Sequence, residues 1–396
     1  MSAVVHEHHP WFSPSAWGRW GTCTASPSAI EAYHVGYPAS PGTPYTAQGV
    51  LAHSVLEAAI KHGLIIAFAT YPIGHTEEVQ GFEVTVDQEM HNAIEACVEY
   101  IDNHGPFQLL MEEQRVGRSN PTIEKLGQPP HTGTADTIAV TKAAPDILHV
   151  MDLKYGKGLR VSPIENCQLK IYGVMAMHTF DLLLDEVDTV YLHILQPRLD
   201  KFESWSITRK DIEAWGRDAL DVAIHEAVHN PQFRPSKEAC RFCPMTGHCP
   251  AQRDEILNMF EDLDETADAK LPEMDDEQLS RFLAKMQFMS DTIDAVRAAT
   301  IQRILGGTAL DGWKVVEGRS NYKWVDDRET VAKTLTALGV EPFKNTEPPL
   351  LTPAQARRAV KSEAELDLLP RSERPEGKPT LVPADDPRPA IVDPLA

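Results

Sequence analysis

The sequence predicts an α/β fold, a central mixed β-sheet flanked by helices, followed by a helical C-terminal extension. Three observations carry that expectation. Residues 109–116, 134–141, 147–154 and 188–195 form short runs with the apolar and β-branched composition of strands. Between and around them, residues 46–63, 87–103, 163–183 and 210–229 read as helices, several with apolar side chains at helical spacing. A chain of 396 residues, 42% of them hydrophobic, has core material for one large domain or two to three small ones.

The elements can be justified in order. Ser13 is placed as an N-cap and Pro14 in the first turn of a short helix, with Cys23 following it. The Pro- and Gly-rich stretch 36–44 is a loop. A helix begins near Thr46 and stops at Gly63, which sets His53 one turn after Gly49, among Leu51, Val55 and Ala59. A helical histidine alone is ordinarily packed or solvated; beside a pair of carboxylates it becomes a third metal ligand or a group that orients water. Helix 87–103 carries Met90, Ile94, Cys97 and Ile101 on its inner face. Strand 109–116 includes Glu113, read as a surface carboxylate that could also turn toward the site.

Residues 134–141 and 147–154 flank the turn 142–146 and form a hairpin. With the turn centred on Ala144, Asp136 stands opposite Asp152, and Lys154 follows onto the same face. Opposed like charges destabilise a sheet, and burying them uncompensated is costly. A cation must join them. Mg²⁺ or Mn²⁺ is the natural candidate, preferring oxygen ligands and leaving part of its shell for water and phosphate. Such an ion can activate water against a phosphodiester while Lys154 offsets charge on the phosphorus oxygens. Asp-x-Lys by itself also describes an exposed surface pair, so its meaning depends on the sequence around it.

After the hairpin, helix 163–183 stacks Gln168 and Tyr172 one turn apart on the side that meets the sheet. Strand 188–195 continues the sheet and helix 210–229 follows. Cys240, Cys243 and Cys249 then crowd a Gly- and Pro-containing loop, as metal-binding cysteines do. Cys23 could supply a fourth thiolate for an iron-sulfur cluster or zinc, and His248 is the alternative fourth ligand for Zn²⁺.

These pieces, in this order, resemble the RecB-like branch of the PD-(D/E)XK nucleases, in particular its AddB-like iron-sulfur exonucleases and phage-associated RecB-like proteins. The motifs are an N-terminal Cys23, Gly-x-x-x-His at Gly49 and His53, Gly-x-x-Asp at Gly133 and Asp136, Asp-x-Lys at Asp152 and Lys154, Gln-x-x-x-Tyr at Gln168 and Tyr172, and a C-terminal cysteine group. They span about residues 10–252. The resemblance implies that His53, Asp136 and Asp152 bind Mg²⁺ or Mn²⁺, that Lys154 is catalytic, and that Gln168 and Tyr172 support contacts to the substrate strand. It also implies that Cys23, Cys240, Cys243 and Cys249 hold a 4Fe-4S cluster. Asp152 stands where many relatives carry Glu.

The expected divisions are a nuclease domain over 1–252, an acidic linker and long helix over 253–310, a small α+β module over 311–366, and a disordered Pro-rich tail over 367–396. Residues 278–305 repeat apolar side chains in steps of three and four (Leu279, Phe282, Met286, Met289, Ile293, Val296), the pattern of a helix packed on another helix or on a second copy. Residues 312–324 interleave Trp313 and Tyr322 with basic residues in what reads as a hairpin, an arrangement that can hold single strands. Helices 328–338 and 353–361 follow.

The net charge of −21 argues against nucleic acid, but residues 254–277 carry 11 acidic groups against Lys270, about half the excess, while Lys154, Lys157, Arg160 and Lys170 cluster beside the hairpin. No apolar run approaches the roughly 20 residues of a membrane helix. The expectation is an intracellular, metal-dependent DNA exonuclease of the cytoplasm, phage-encoded, serving recombination, repair or replication. Its partners would be single-stranded DNA or duplex ends, with a recombination or single-strand-binding protein as a candidate partner and no membrane. Two alternatives stand beside it: a non-catalytic DNA-binding or recombination-partner module, and a zinc-stabilised assembly protein that oligomerises through the 278–305 helix.

Overall fold

Strands dominate the middle of the chain. A small hairpin pairs β1 (Thr76–Val79) with β2 (Phe82–Thr85). The main sheet is built from β3 (Phe107–Arg118), β4 (His131–Thr141), β5 (Asp146–Leu153), β6 (Val187–Gln196) and β7 (Lys201–Thr208), hydrogen-bonded in that order. All pairs are antiparallel except β5 with β6. A parallel pair needs a crossover, and the helix between those strands supplies it. The computed structural model describes residues 11–34, 42–125, 131–143, 145–265, 275–318, 320–342, 350–360 and 366–391.

The helices that matter for the site are α1 (Trp17–Trp20), α2 (Pro44–His62), α3 (Gln88–Asp102), α4 (Cys167–Thr179) and α5 (Asp221–His229). Helix α2 starts with a capping box in which Thr43 accepts from the Thr46 N–H at 3.2 Å. Helix α4 begins later than the expected residue 163, because Asn166 caps it by accepting from the Leu169 N–H at 3.1 Å. It also ends earlier, at Thr179, before a short 3₁₀ turn over Asp181–Leu183.

Alternation along the strands divides the core between the two faces of the sheet. Ile138, Val140, Leu148 and Val150 join Leu169, Ile171 and Met175 of α4 on one side. Met151 and Leu153 join Leu51 and Val55 of α2 and Ile94 and Cys97 of α3 on the other. The register Thr137↔Met151 to Thr141↔Ile147 agrees with a turn centred on Ala144, which itself lies outside the described residues.

The chain divides into two units, Met1–Phe288 and Met289–Ala396. Helix α6 (Asp276–Leu305) confirms the long helix. Its expected seam is split: Met289 is buried with Phe288, Thr292 and Ile304, whereas Leu279, Met286, Ile293 and Val296 face outward. Most of the loop 36–44 and residues 266–274 of the acidic stretch lie outside the described residues.

Two expectations for the second unit are corrected. Residues 312–324 do not form a hairpin: β8 (Trp313–Glu317) and β9 (Lys323–Trp324) each pair with a later strand. The partners are β10 (Ser372–Glu373) and β11 (Pro379–Pro383), so the described part of the Pro-rich tail is ordered structure. Proline is tolerated there because it stands at the ends of a short strand whose outer side needs no N–H. Thr352 caps the helix Pro353–Ala359, as its sequence predicts. Among the described residues no helix is long and apolar enough to cross a membrane.

Candidate functional site

Three carboxylates lie on one line across adjacent strands. Glu113 of β3 falls between the pairs Glu112↔Thr137 and Gln114↔Ala135, facing Asp136, and Asp136 follows Thr137↔Met151 to face Asp152. From α2, His53 Nδ1 stands 3.3 Å from Asp136 Oδ2 and 3.7 Å from Glu113 Oε1. Among the described residues, His53, Glu113 and Asp136 form a group whose ligand atoms all lie within 4.8 Å of one another. Glu113 has φ +45°, in the left-handed region, a conformation that costs a non-glycine residue on the order of 1–3 kcal/mol and survives where its surroundings enforce it.

The electrostatics follow from the crowding. Burial and then the Asp152 charge push the Asp136 carboxyl well above its ordinary range. Its Oδ2 still accepts from the Leu153 N–H at 2.7 Å, which ties the acid of β4 to β5. Burial works against the His53 imidazolium, but the Glu113 hydrogen bond and the charges of Asp136 and Asp152 outweigh it and raise His53.

Asp152 is 2% exposed. Its Oδ1 accepts from Gln168 Nε2 at 2.7 Å, and its Oδ2 lies 2.7 Å from Lys154 Nζ without an aligned hydrogen-bond donor. Lys154 Nζ donates to Gln168 Oε1 at 3.1 Å, so one amide spans both charged partners. Burial opposes the ammonium, yet Asp152 and Asp136 hold Lys154 above its usual value and hence charged.

Tyr172 lies one turn beyond Gln168, and burial followed by the Asp152 and Asp136 charges keeps its phenol protonated. A Cβ at Gly133 would come 2.9 Å from the Tyr172 ring and 2.8 Å from Pro14. That close approach is the reason for glycine in the Gly-x-x-Asp strand. At Gly49 a Cβ would meet nothing within 4 Å, so packing does not account for that glycine.

A second cluster joins the two ends of the domain. Cys23, Cys240, Cys243 and Cys249, all free thiols, line one cavity of about 20 Å³. Cys23 is positioned by the protein itself: its N–H donates to the Arg19 carbonyl at 2.8 Å and its Sγ accepts from the Arg234 N–H at 3.5 Å. Thr24 Oγ1 donates to Glu226 of α5 at 3.0 Å, and Arg234 Nη1 donates to the same carboxylate at 2.7 Å. Burial pushes the Cys240 thiol up to about 11. His248 packs against Tyr33, with ring centroids 5.4 Å apart, and is not part of the cavity wall. Cys97 sits in the core, its thiol pushed up to about 12 by burial.

Over residues 9–389 the sequence matches the model of a family described as a protein of unknown function, DUF2800. This chain belongs to the DUF2800 family. Among solved structures, one described as "Crystal structure of SSO0001" is 16% identical, covers 50% of the DUF2800 chain and 81% of its own, and has a TM-score of 0.22.

In this DUF2800 chain the structure gathers His53, Asp136, Asp152, Lys154, Gln168 and Tyr172 around one end of β5, and the four cysteines around one cavity. The tight ligand group differs in one member from the expected set. Glu113, read as a surface carboxylate, stands with His53 and Asp136, while the Asp152 oxygens face Gln168 and Lys154. The only sequence signal for Glu113 is its position, and that becomes informative once β3 is known to pair with β4.

Proposed function

We propose that this chain is a divalent-metal-dependent deoxyribonuclease that hydrolyses phosphodiester bonds from DNA ends. The observation that carries the reading is the meeting of a row of carboxylates on three adjacent strands with an imidazole and a charged lysine. The donor set fits a cation: the buried Asp152 Oδ2 has Lys154 Nζ at 2.7 Å but no aligned donor, and burial followed by the Asp152 charge disfavours the ionised Asp136 carboxylate unless a cation joins it. Mixed imidazole and carboxylate donors suit Mn²⁺ at least as well as Mg²⁺. His53, Glu113 and Asp136 would hold the ion, with Asp152 beside them.

When bound, a divalent ion supplies an acidified water and positive charge for the leaving oxygen. The chain's own groups do the rest. Lys154 presents a permanent ammonium where negative charge grows on the phosphorus oxygens. Gln168 fixes that ammonium relative to Asp152, and Tyr172 packs behind the pair as a protonated phenol. Four cysteines around one cavity support a structural metal centre. The same four thiols can hold an iron-sulfur cluster or Zn²⁺.

The direct test incubates linear single-stranded and duplex DNA with Mn²⁺ or Mg²⁺ and compares wild type with Asp136→Ala and Lys154→Ala, each verified as folded by circular dichroism. Metal-dependent loss of DNA in wild type alone is expected. Retention of DNA without turnover in all three would favour a binding module instead.

A further inference from the structure

Arg19 is a half-buried cation that lacks a carboxylate. It lies within α1, and its guanidinium reaches across the chain, Nη1 donating to the Phe242 carbonyl at 3.4 Å, next to Cys243. Its Nε is buried with no hydrogen-bond partner. The other half-buried arginines of this unit are all paired: Arg118 with Asp221, Arg198 with Glu89 and Arg209 with Glu213. Among the described residues Arg19 has no such partner. Burial works against its charge and prevails, lowering Arg19 from its usual value, while the neighbouring Cys243 and Cys23 work the other way.

Withdrawing a guanidinium from water is expensive unless an anion accompanies it. Neutral thiols do not provide one, whereas metal-bound cysteines do, because the ligand is the thiolate. Four thiolates around a dipositive metal or core leave two negative charges over, in a partly buried cavity that also needs compensation. The two deficits are complementary.

We propose that Arg19 is the counter-charge and positioning residue of the four-cysteine centre, holding the 240–249 loop through the Phe242 carbonyl and offsetting the charge of the metal-thiolate group. The proposal rests on the reading that the four cysteines bind metal. It assigns Arg19 no part in phosphodiester cleavage.

The test titrates the reduced, metal-free full chain with Co²⁺ under anaerobic conditions, following the thiolate-to-metal absorption band, in wild type, Arg19→Gln and Arg19→Lys. Loss of an outer partner of a metal site weakens binding by about 10- to 100-fold, the expected effect of Arg19→Gln. Arg19→Lys should recover most of it, and the urea midpoint of the metal-free protein should be alike in all three. Equal Co²⁺ affinity in wild type and Arg19→Gln would overturn the proposal. So would a lysine variant no better than glutamine, or a metal-free Arg19→Gln that unfolds early or fails to fold, since these outcomes mark a purely structural contact. A wild type without any thiolate band would instead remove the four-cysteine centre, and the role of Arg19 with it.

Discussion

Glu113 pays for its position in backbone strain. Its φ of +45° suits glycine, and the carboxylate it delivers sits beside two others. Replacing it with glycine relieves both the conformation and the like-charge contact, so Glu113→Gly should match or exceed wild type in urea midpoint while losing Mn²⁺-dependent thermal stabilisation. A lower midpoint with metal response retained would contradict this. Gly133 makes the opposite case. With 2.9 Å to the Tyr172 ring and 2.8 Å to Pro14, Gly133→Ala overpacks the strand against α4 and should cost about 1–3 kcal/mol in chemical denaturation. Turnover should fall with it, because Tyr172 and Gln168 lie on one helical face. The Asp136–Asp152 opposition was readable because antiparallel pairing about a short turn leaves little freedom in register. The role of Glu113 was not, since it depends on which strand adds to the hairpin and on a local twist of the backbone.

Helices and long strands were legible from periodicity and caps; Asp87, for example, accepts from the Met90 N–H at 2.8 Å at the start of α3. The second unit shows where such reasoning fails. Its strands are two to five residues long, and β8 and β9 lie about 50 residues or more from their partners. No local pattern announces such pairing, and a proline-rich segment has the composition of disorder. Deleting residues 371–396 removes β10 and β11 and uncovers the fully buried Val315 and Val316. Limited proteolysis of the truncated chain should then cut rapidly within 313–324, at sites protected in the full chain. Unchanged protection would show that β8 and β9 persist without these partners.

At the scale of the molecule, buried imidazoles set the response to acid. Burial, with help from Arg118, depresses His131 to about 3; burial with His149 and His104 depresses His193 to about 3; burial and His104 depress His149 to about 4. His149 Nδ1 lies 3.1 Å from His193 Nε2, and His193 Nδ1 lies 3.0 Å from the Tyr100 hydroxyl, a network satisfied by neutral rings. Each folded value lies below the ordinary 6.5, so between about pH 6.5 and 4 the unfolded chain binds protons that the folded chain refuses. Stability should therefore be retained above pH 6.5 and decline as pH falls toward 4, read as a falling urea midpoint, with a shallower decline in His193→Gln. A pH-independent midpoint would contradict the neutral network. Asp136 acts with the opposite sign: raised in the fold, it favours the metal-free protein at low pH and loses that contribution as pH rises. The sequence alone determined the helices, the central hairpin and the order of its motifs, because caps, periodicity and turn-centred register act over a few residues. Only the tertiary structure decided that Glu113 joins His53 and Asp136, that Cys23 meets cysteines more than 200 residues away, and that the tail closes two small sheets. Those contacts arise from how distant segments share one core, which spacing along the chain does not encode.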